Sequence, residues 1–169
     1  MNIKTSRLKI KTFSPNMAQS VYENSQDEDT KRFVPDEVYD SVDEAREAIE
    51  FLMSRYDSED GPFVYPIITN DSGKNIGYIQ ICKLEDGTWE IGYHIAKNFT
   101  GKGYATEAVK AFLPAMAKKL NIKEVYGISL AENTVSVRVL EKCGFTKIYQ
   151  GPGNYQGREV QIIKTIWKN

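Results

Sequence analysis

The sequence predicts a mixed α+β fold in which a mostly antiparallel sheet of about six to seven strands is flanked by about four helices. Segments of alternating polarity are joined by short turns at 70–73 and 85–87, which is typical of hairpins. Apolar residues recur at helical spacing in Tyr104–Leu120 and after Asn133, between further strands. At 169 residues, the whole chain (1–169) is expected to form a single domain.

Each element is predicted from its local pattern. Ser41 and Glu44 are spaced as a capping box at the start of an acidic helix. Three glycines and a proline within Gly151–Gly157 predict a mobile loop. In chain order we expect a strand at 7–12, a short helix at 17–24, the acidic helix at about 42–56, strands at 63–69, 75–84 and 88–95, a helix at 104–120, a strand at 124–130, a helix from 133, and strands at 145–150 and 160–167.

The composition argues against several classes of protein. A net charge of −1 does not fit a general nucleic-acid binder, and no apolar run approaches the ~18 residues of a membrane-spanning helix. Cys82 and Cys143 are expected to be reduced thiols of a cytoplasmic protein without a secretory leader. No metal is expected, and a homodimer is left open.

Two closely spaced glycines join the strand at 88–95 to the helix at 104–120. Without Cβ atoms at Gly101 and Gly103, the backbone can approach a ligand closely. The free N–H groups of the first helical turn favour an anion there, and Lys102 adds a positive charge. The pattern predicts a phosphate site, with a glycine-rich helix entry as the alternative.

A second motif runs from Asn133 to Phe145. Asn133 is a good N-cap, and Gly144 is a good C-terminal stop. Taken alone, these two residues need no ligand to explain them.

Together the two motifs resemble the signatures of GNAT-type N-acetyltransferases. The first is similar to the acetyl-CoA motif Arg/Gln-x-x-Gly-x-Gly/Ala, which falls on Thr100, Gly103 and Ala105, with Thr100 replacing Arg or Gln. Leu140 stands where many relatives have a Tyr that protonates the leaving thiolate. With Leu at this position, the second motif is similar to that of the subgroup of ribosomal-protein N-terminal acetyltransferases. The resemblance covers about residues 5–167 and implies a GNAT-like fold.

The resemblance also implies the cosubstrate, acetyl-CoA, and the residues that hold it. The pyrophosphate is expected on the backbone of the glycine loop, the pantetheine arm beside the second motif, and the acetyl carbonyl on the N–H near Ile95. The expected cofactor-binding residues are Ile95, Thr100, Gly101, Lys102, Gly103, Tyr104, Ala105, Thr106, Asn133 and Ser136.

Three residues are candidates for the chemical step. Glu90 is the leading candidate for general base, with a cross-strand partner role as the alternative. His94 falls on the same strand face by period two, and it is a candidate base or a packing residue. Ser136 is the candidate to protonate or solvate the thiolate, or it bonds the backbone in its helix. Tyr93, Tyr126 and Tyr155 remain open as proton donors.

The acceptor amine is not specified by these motifs. The resemblance favours a protein or peptide N-terminus, and a small cationic amine such as a polyamine or an aminoglycoside is the alternative. The segment 36–60 carries ten acidic and two basic residues, which form either a solvated face or a surface that attracts a cationic acceptor. A non-catalytic acyl-CoA-binding module and a nucleotide-binding enzyme of an open parallel-sheet fold are the remaining alternatives.

Overall fold

The computed structural model covers residues 1–169 and contains eight strands and five α-helices. The predicted α+β class is confirmed. The elements are β1 (Asn2–Lys4), β2 (Leu8–Lys11), α1 (Ala18–Ser25), α2 (Glu28–Phe33), α3 (Val42–Ser54), β3 (Phe63–Thr69), β4 (Asn75–Lys83), β5 (Trp89–Ile95), α4 (Tyr104–Leu120), β6 (Glu124–Leu130), α5 (Thr134–Lys142), β7 (Thr146–Tyr155) and β8 (Arg158–Lys168).

All eight strands belong to one sheet with the order β1-β2-β3-β4-β5-β6-β8-β7. Neighbouring strands are antiparallel except β5 and β6, which are parallel. These two strands pair only at Glu90 and Tyr126, near their N-terminal ends. Beyond that pair β5 and β6 part, which leaves a gap in the centre of the sheet.

Helices cover both faces of the sheet. On one face α4 buries an apolar stripe that includes Phe112 and Met116, both fully buried. On the other face α1 and α3 pack around a smaller cluster. Val64 and Tyr65 are consecutive in β3 and belong to the two different clusters, because successive strand side chains point to opposite faces. The capping-box serine is also in place, since Ser41 Oγ accepts from the Glu44 N–H at 3.1 Å.

Three elements differ from the sequence prediction. β1 and α2 were not predicted, because three and six residues carry too little periodicity to be recognised. The prediction of a loop at 151–157 is wrong: β7 continues to Tyr155, and only the turn at 156–157 separates it from β8. β7 is an edge strand, and an edge strand tolerates Pro152 and its flanking glycines.

Candidate active site

A cavity of about 950 Å³ opens where β5 and β6 part. It is lined by β5, by the glycine loop and the start of α4, by the start of α5 and by the end of β7. The predicted site residues that line it are Glu90, His94, Ile95, Thr100, Gly101, Gly103, Tyr104, Ala105, Thr106, Asn133 and Ser136. The fold therefore collects residues from two motifs that are more than 25 positions apart in the sequence into one space.

The glycine loop presents a row of free backbone donors. Gly101 and Gly103 adopt φ values of 75° and 79°, in the left-handed region that favours glycine. The first helical bond of α4 runs from the Glu107 N–H to the Gly103 carbonyl at 3.1 Å. The six N–H groups of 101–106 have no acceptor within the protein. Such a row, with the dipole of a 17-residue helix behind it, fits a pyrophosphate.

Two side chains of the loop are tied to the protein backbone. The Lys102 ammonium contacts the Asn98 carbonyl at 3.3 Å and lies over the Phe99 ring, and Lys102 does not line the cavity. The Thr100 hydroxyl donates to the Lys97 carbonyl at 2.8 Å. Because both side chains have partners elsewhere, the donors that the loop leaves free for an anion are its backbone N–H groups.

Strand β5 directs part of its backbone toward the gap. The Ala96 N–H donates to the Ile76 carbonyl at 2.9 Å, and the preceding residue, Ile95, is paired with Gly77. Bonded and non-bonded pairs alternate along an antiparallel ladder, so the Ile95 N–H points away from β4. It therefore faces the cavity, where it can donate to a carbonyl oxygen.

Glu90 lies at the point where β5 and β6 part. It stands opposite Cys82 on β4 and Tyr126 on β6. Burial raises the pKa of Glu90 to about 7, and the charge of Lys164 opposes that rise. A carboxyl group with this pKa is poised to exchange a proton near neutral pH.

His94 connects β5 to α2. Its Nε2 lies 2.8 Å from the Thr30 hydroxyl and 3.8 Å from the Asp27 carboxylate. Burial lowers the pKa of His94, and the nearby charge of Asp27 opposes the change. Asp27 also caps α2 by accepting from the Thr30 N–H at 2.7 Å. These contacts account for His94 as a link between the two elements, and a catalytic role for it stays a prediction.

The start of α5 holds a small hydroxyl network. Asn133 caps the helix by accepting from the Ser136 N–H at 3.1 Å. Ser136 Oγ lies 3.1 Å from both the Tyr93 hydroxyl and the Ser129 hydroxyl, and Tyr93 donates to the Ser136 carbonyl at 3.0 Å. Leu140 is buried in the core and carries no proton donor. Of the tyrosines left open by the sequence, Tyr93 is the one bonded to Ser136.

Glu37 is a cavity residue that the sequence did not single out. It belongs to a 3₁₀ turn, Pro35–Glu37, and lies beside the Tyr78 hydroxyl. Burial raises the pKa of Glu37 to about 7, and the contact with Tyr78 opposes the rise. No local pattern marks Glu37, because it stands among ten acidic residues of segment 36–60. It is the one acid of that segment that lines the cavity.

Residues 7–146 match the family profile described as acetyltransferase (GNAT) domain. The chain belongs to the GNAT family of N-acetyltransferases. This acetyltransferase is 32% identical over 148 residues to YnaD, an uncharacterized N-acetyltransferase of Bacillus subtilis. The aligned region covers 87% of this chain and 84% of YnaD. The family uses acetyl-CoA, and the backbone row of the glycine loop fits that cosubstrate.

Solved structures share the fold of this acetyltransferase. The ribosomal-protein-S5-alanine acetyltransferase of Vibrio fischeri superposes with a TM-score of 0.85 at 16% identity, covering 100% of this chain and 97% of that one. The microcin C7 self-immunity acetyltransferase MccE, solved with acetyl-CoA and AMP, superposes with a TM-score of 0.82 at 18% identity, covering 98% and 94%. None of the helices in this acetyltransferase has the length and hydropathy needed to cross a lipid bilayer.

Proposed function

We propose that this acetyltransferase transfers the acetyl group of acetyl-CoA directly to a primary amine while both substrates are bound. The thioester supplies an already activated acyl group, so the chain's own residues have to bind, orient and move protons. The observation that carries the proposal is the position of Glu90. Its carboxyl group, with a pKa raised to about 7 by burial, shares one cavity with Gly101 and residues 103–106, whose backbone N–H groups are free.

Each step of the transfer is assigned to a residue. In its ionised form Glu90 takes a proton from the ammonium group of the acceptor, directly or through water, which leaves a neutral nucleophile. The Ile95 N–H donates to the carbonyl oxygen that becomes negative during attack. As the new C–N bond forms and the C–S bond breaks, Ser136, held by Tyr93 and Ser129, donates a hydrogen bond to the departing thiolate, which takes up the second proton lost by the nitrogen. His94 is retained as the second candidate for the base.

Direct transfer is favoured over an acyl-enzyme by the state of Cys82. This cysteine lines the cavity beside Glu90, and burial raises the pKa of its thiol to about 12. A thiol in that state is a poor nucleophile. We expect Cys82→Ala to keep its activity, and we expect no CoA release from acetyl-CoA in the absence of an amine. A burst of CoA without acceptor, lost in Cys82→Ala, would instead indicate an acyl-enzyme.

We place the acceptor amine beside two buried carboxyl groups of the cavity. Glu37 and Glu90 line it, whereas the nearby Arg32 pairs with Glu132 at 3.3 Å. A cationic acceptor compensates such buried carboxylates. Because this acetyltransferase is similar to the ribosomal-protein acetyltransferases, we propose that its acceptor is a protein or peptide N-terminus. Small cationic amines are the competing acceptors.

A screen of acceptors tests this function. CoA release would be followed with a thiol reagent in mixtures that contain acetyl-CoA and either short peptides with free N-termini, polyamines or aminoglycosides. Transfer to peptides supports the proposal, and transfer confined to polyamines or aminoglycosides replaces its acceptor. Tight CoA binding without release from any mixture would favour the non-catalytic module.

A further inference from the structure

The turn between β1 and β2 is bonded to the start of α4, 100 residues away in the sequence. The carboxylate of Glu107 accepts from the Thr5 hydroxyl at 2.6 Å and from the Arg7 N–H at 3.0 Å. The Arg7 guanidinium contacts the other oxygen of the same carboxylate through Nε and Nη2, each at 2.6 Å. The guanidinium also lies 4.7 Å from the centre of the Tyr104 ring.

The first consequence is electrostatic. Glu107 is an acid in the first turn of α4, next to the row of N–H groups where a pyrophosphate is expected. A carboxylate at this place would repel the anion. Partial burial opposes its ionisation, but the bonds from Thr5 and Arg7 outweigh burial, and the pKa of Glu107 is lowered. Glu107 is therefore ionised, and Arg7 supplies the charge that cancels its effect on the site.

The second consequence concerns one peptide bond. Arg7 Nη1 donates to the Lys102 carbonyl at 2.9 Å. In a trans peptide the carbonyl and the following N–H point in opposite directions, so this bond turns the Gly103 N–H away from Arg7. Gly103 lines the cavity, and its N–H has no acceptor within the protein. The arginine thus fixes the orientation of one of the donors that the anion would meet.

We propose that Arg7 is a positioning residue for the pyrophosphate of acetyl-CoA, which it serves by orienting the Lys102–Gly103 peptide and by neutralising Glu107. The inference rests on the proposed use of the glycine loop as the acetyl-CoA site. Arg7 itself does not line the cavity and acts through the loop. The turn between the first two strands then contributes to cosubstrate binding, in addition to connecting two strands of the sheet.

Calorimetric titration with CoA tests the inference without any need for turnover. We expect Arg7→Ala to raise the dissociation constant of CoA on the order of tenfold, because a charge-assisted bond and a fixed donor are lost together. Arg46→Ala is the matched control. The Arg46 side chain is exposed to 45%, compared with 46% for Arg7. It pairs with Asp43 and contacts the Pro15 carbonyl, but it bonds neither the glycine loop nor Glu107. Its variant should bind CoA as the parent does.

A truncated donor separates positioning from general damage to the fold. S-acetylpantetheine lacks the pyrophosphate, so kcat/KM for this donor should be the same in Arg7→Ala and in the parent, while kcat/KM for acetyl-CoA falls. The double variant Arg7→Ala, Glu107→Gln should recover part of the lost CoA affinity, since it removes the uncompensated carboxylate.

Two results would overturn the inference. One is a CoA affinity in Arg7→Ala equal to that of Arg46→Ala. The other is an equal loss with both donors, which would mark Arg7 as a purely structural residue. Failure of the parent protein to bind CoA at all would instead refute the proposed site, and the two failures are thereby distinguishable.

Discussion

At the scale of single residues, burial gives Glu90 the property that a general base needs near neutral pH. We expect Glu90→Gln to lower kcat by ~10²–10⁴ with little change in CoA affinity, because the amide cannot accept the proton of the acceptor. The parent's kcat/KM for the amine should rise as the pH passes about 7, since Glu90 acts as a base only after it has lost its own proton. Initial rates measured across pH, with CoA titration beside them, check both points.

The control for this prediction is Glu124→Gln. Glu124 lies on β6, pairs with Lys168 at 2.8 Å and does not line the cavity. Its variant should keep the parent's rate and pH profile. A Glu90→Gln enzyme with the parent's rate across pH would contradict the assignment and move attention to His94 or to solvent.

The hydroxyl network around Ser136 makes a second prediction at this scale. Ser136→Ala removes the donor proposed for the thiolate, but Tyr93 remains within the network. We therefore expect a smaller loss of kcat than in Glu90→Gln, and a similar small loss in Tyr93→Phe. The double variant should lose more than the two single losses combined, because either hydroxyl can take over the other's role. Single-turnover rates provide the measurement. Purely additive losses would argue that the two hydroxyls act independently, and the absence of any loss in one single variant would argue that only the other hydroxyl contributes.

At the scale of elements, the glycine loop depends on a backbone conformation. Gly103 has a φ of 79°, which a β-branched residue adopts only with strain. We expect Gly103→Val to abolish CoA binding in a protein that still folds, because the loop would have to change shape and the N–H row would be lost. Lys102→Ala should weaken binding less, since its ammonium lies outside the cavity. Calorimetry with CoA measures both effects.

Gly87 provides a control with the same backbone strain. It has a φ of 82° in the turn between β4 and β5, and a Cβ there would meet no atom within 4 Å. Gly87→Val should therefore lose a similar amount of thermal stability and keep its CoA affinity. If Gly103→Val is folded and binds CoA normally, the loop is not the pyrophosphate site.

The spacing of apolar residues predicted most helices and strands, and the two closely spaced glycines predicted the glycine loop, because both signals are local in the sequence. The 17-residue helix α4 and the cap at Asn133 depend on nearby residues, and both were found where expected. The first half of β7 was predicted as a strand, but residues 151–155 were predicted as a loop, because pairing with β8 and not their own composition makes them part of the strand. The contact of Arg7 with Glu107 spans 100 positions, and Glu37 resembles any solvated acid. Such residues are recognised only when the fold brings distant segments together.

At the scale of the whole molecule, negative charge is concentrated in segment 36–60 of the sequence. The acids of segment 36–60 fall into two groups. Glu37 lies in the cavity, whereas Glu44, Glu47 and Glu50 lie exposed on α3 and do not contact the cavity. The first can bind an acceptor directly, and the others can act only through the field they create.

This division predicts two different responses to salt. Glu37→Gln should raise KM for the amine at every ionic strength, because it removes a partner inside the cavity. Neutralising Glu44, Glu47 and Glu50 together should raise KM for the amine only at low salt, leave KM for acetyl-CoA unchanged, and weaken the salt dependence of the reaction. Added salt should mimic the triple variant, since screening acts over about 8 Å at physiological ionic strength. If the triple variant matches the parent in amine kinetics at every salt concentration, the exposed acids of α3 are a solvated face, and recognition of the acceptor's charge rests with Glu37 and Glu90 in the cavity.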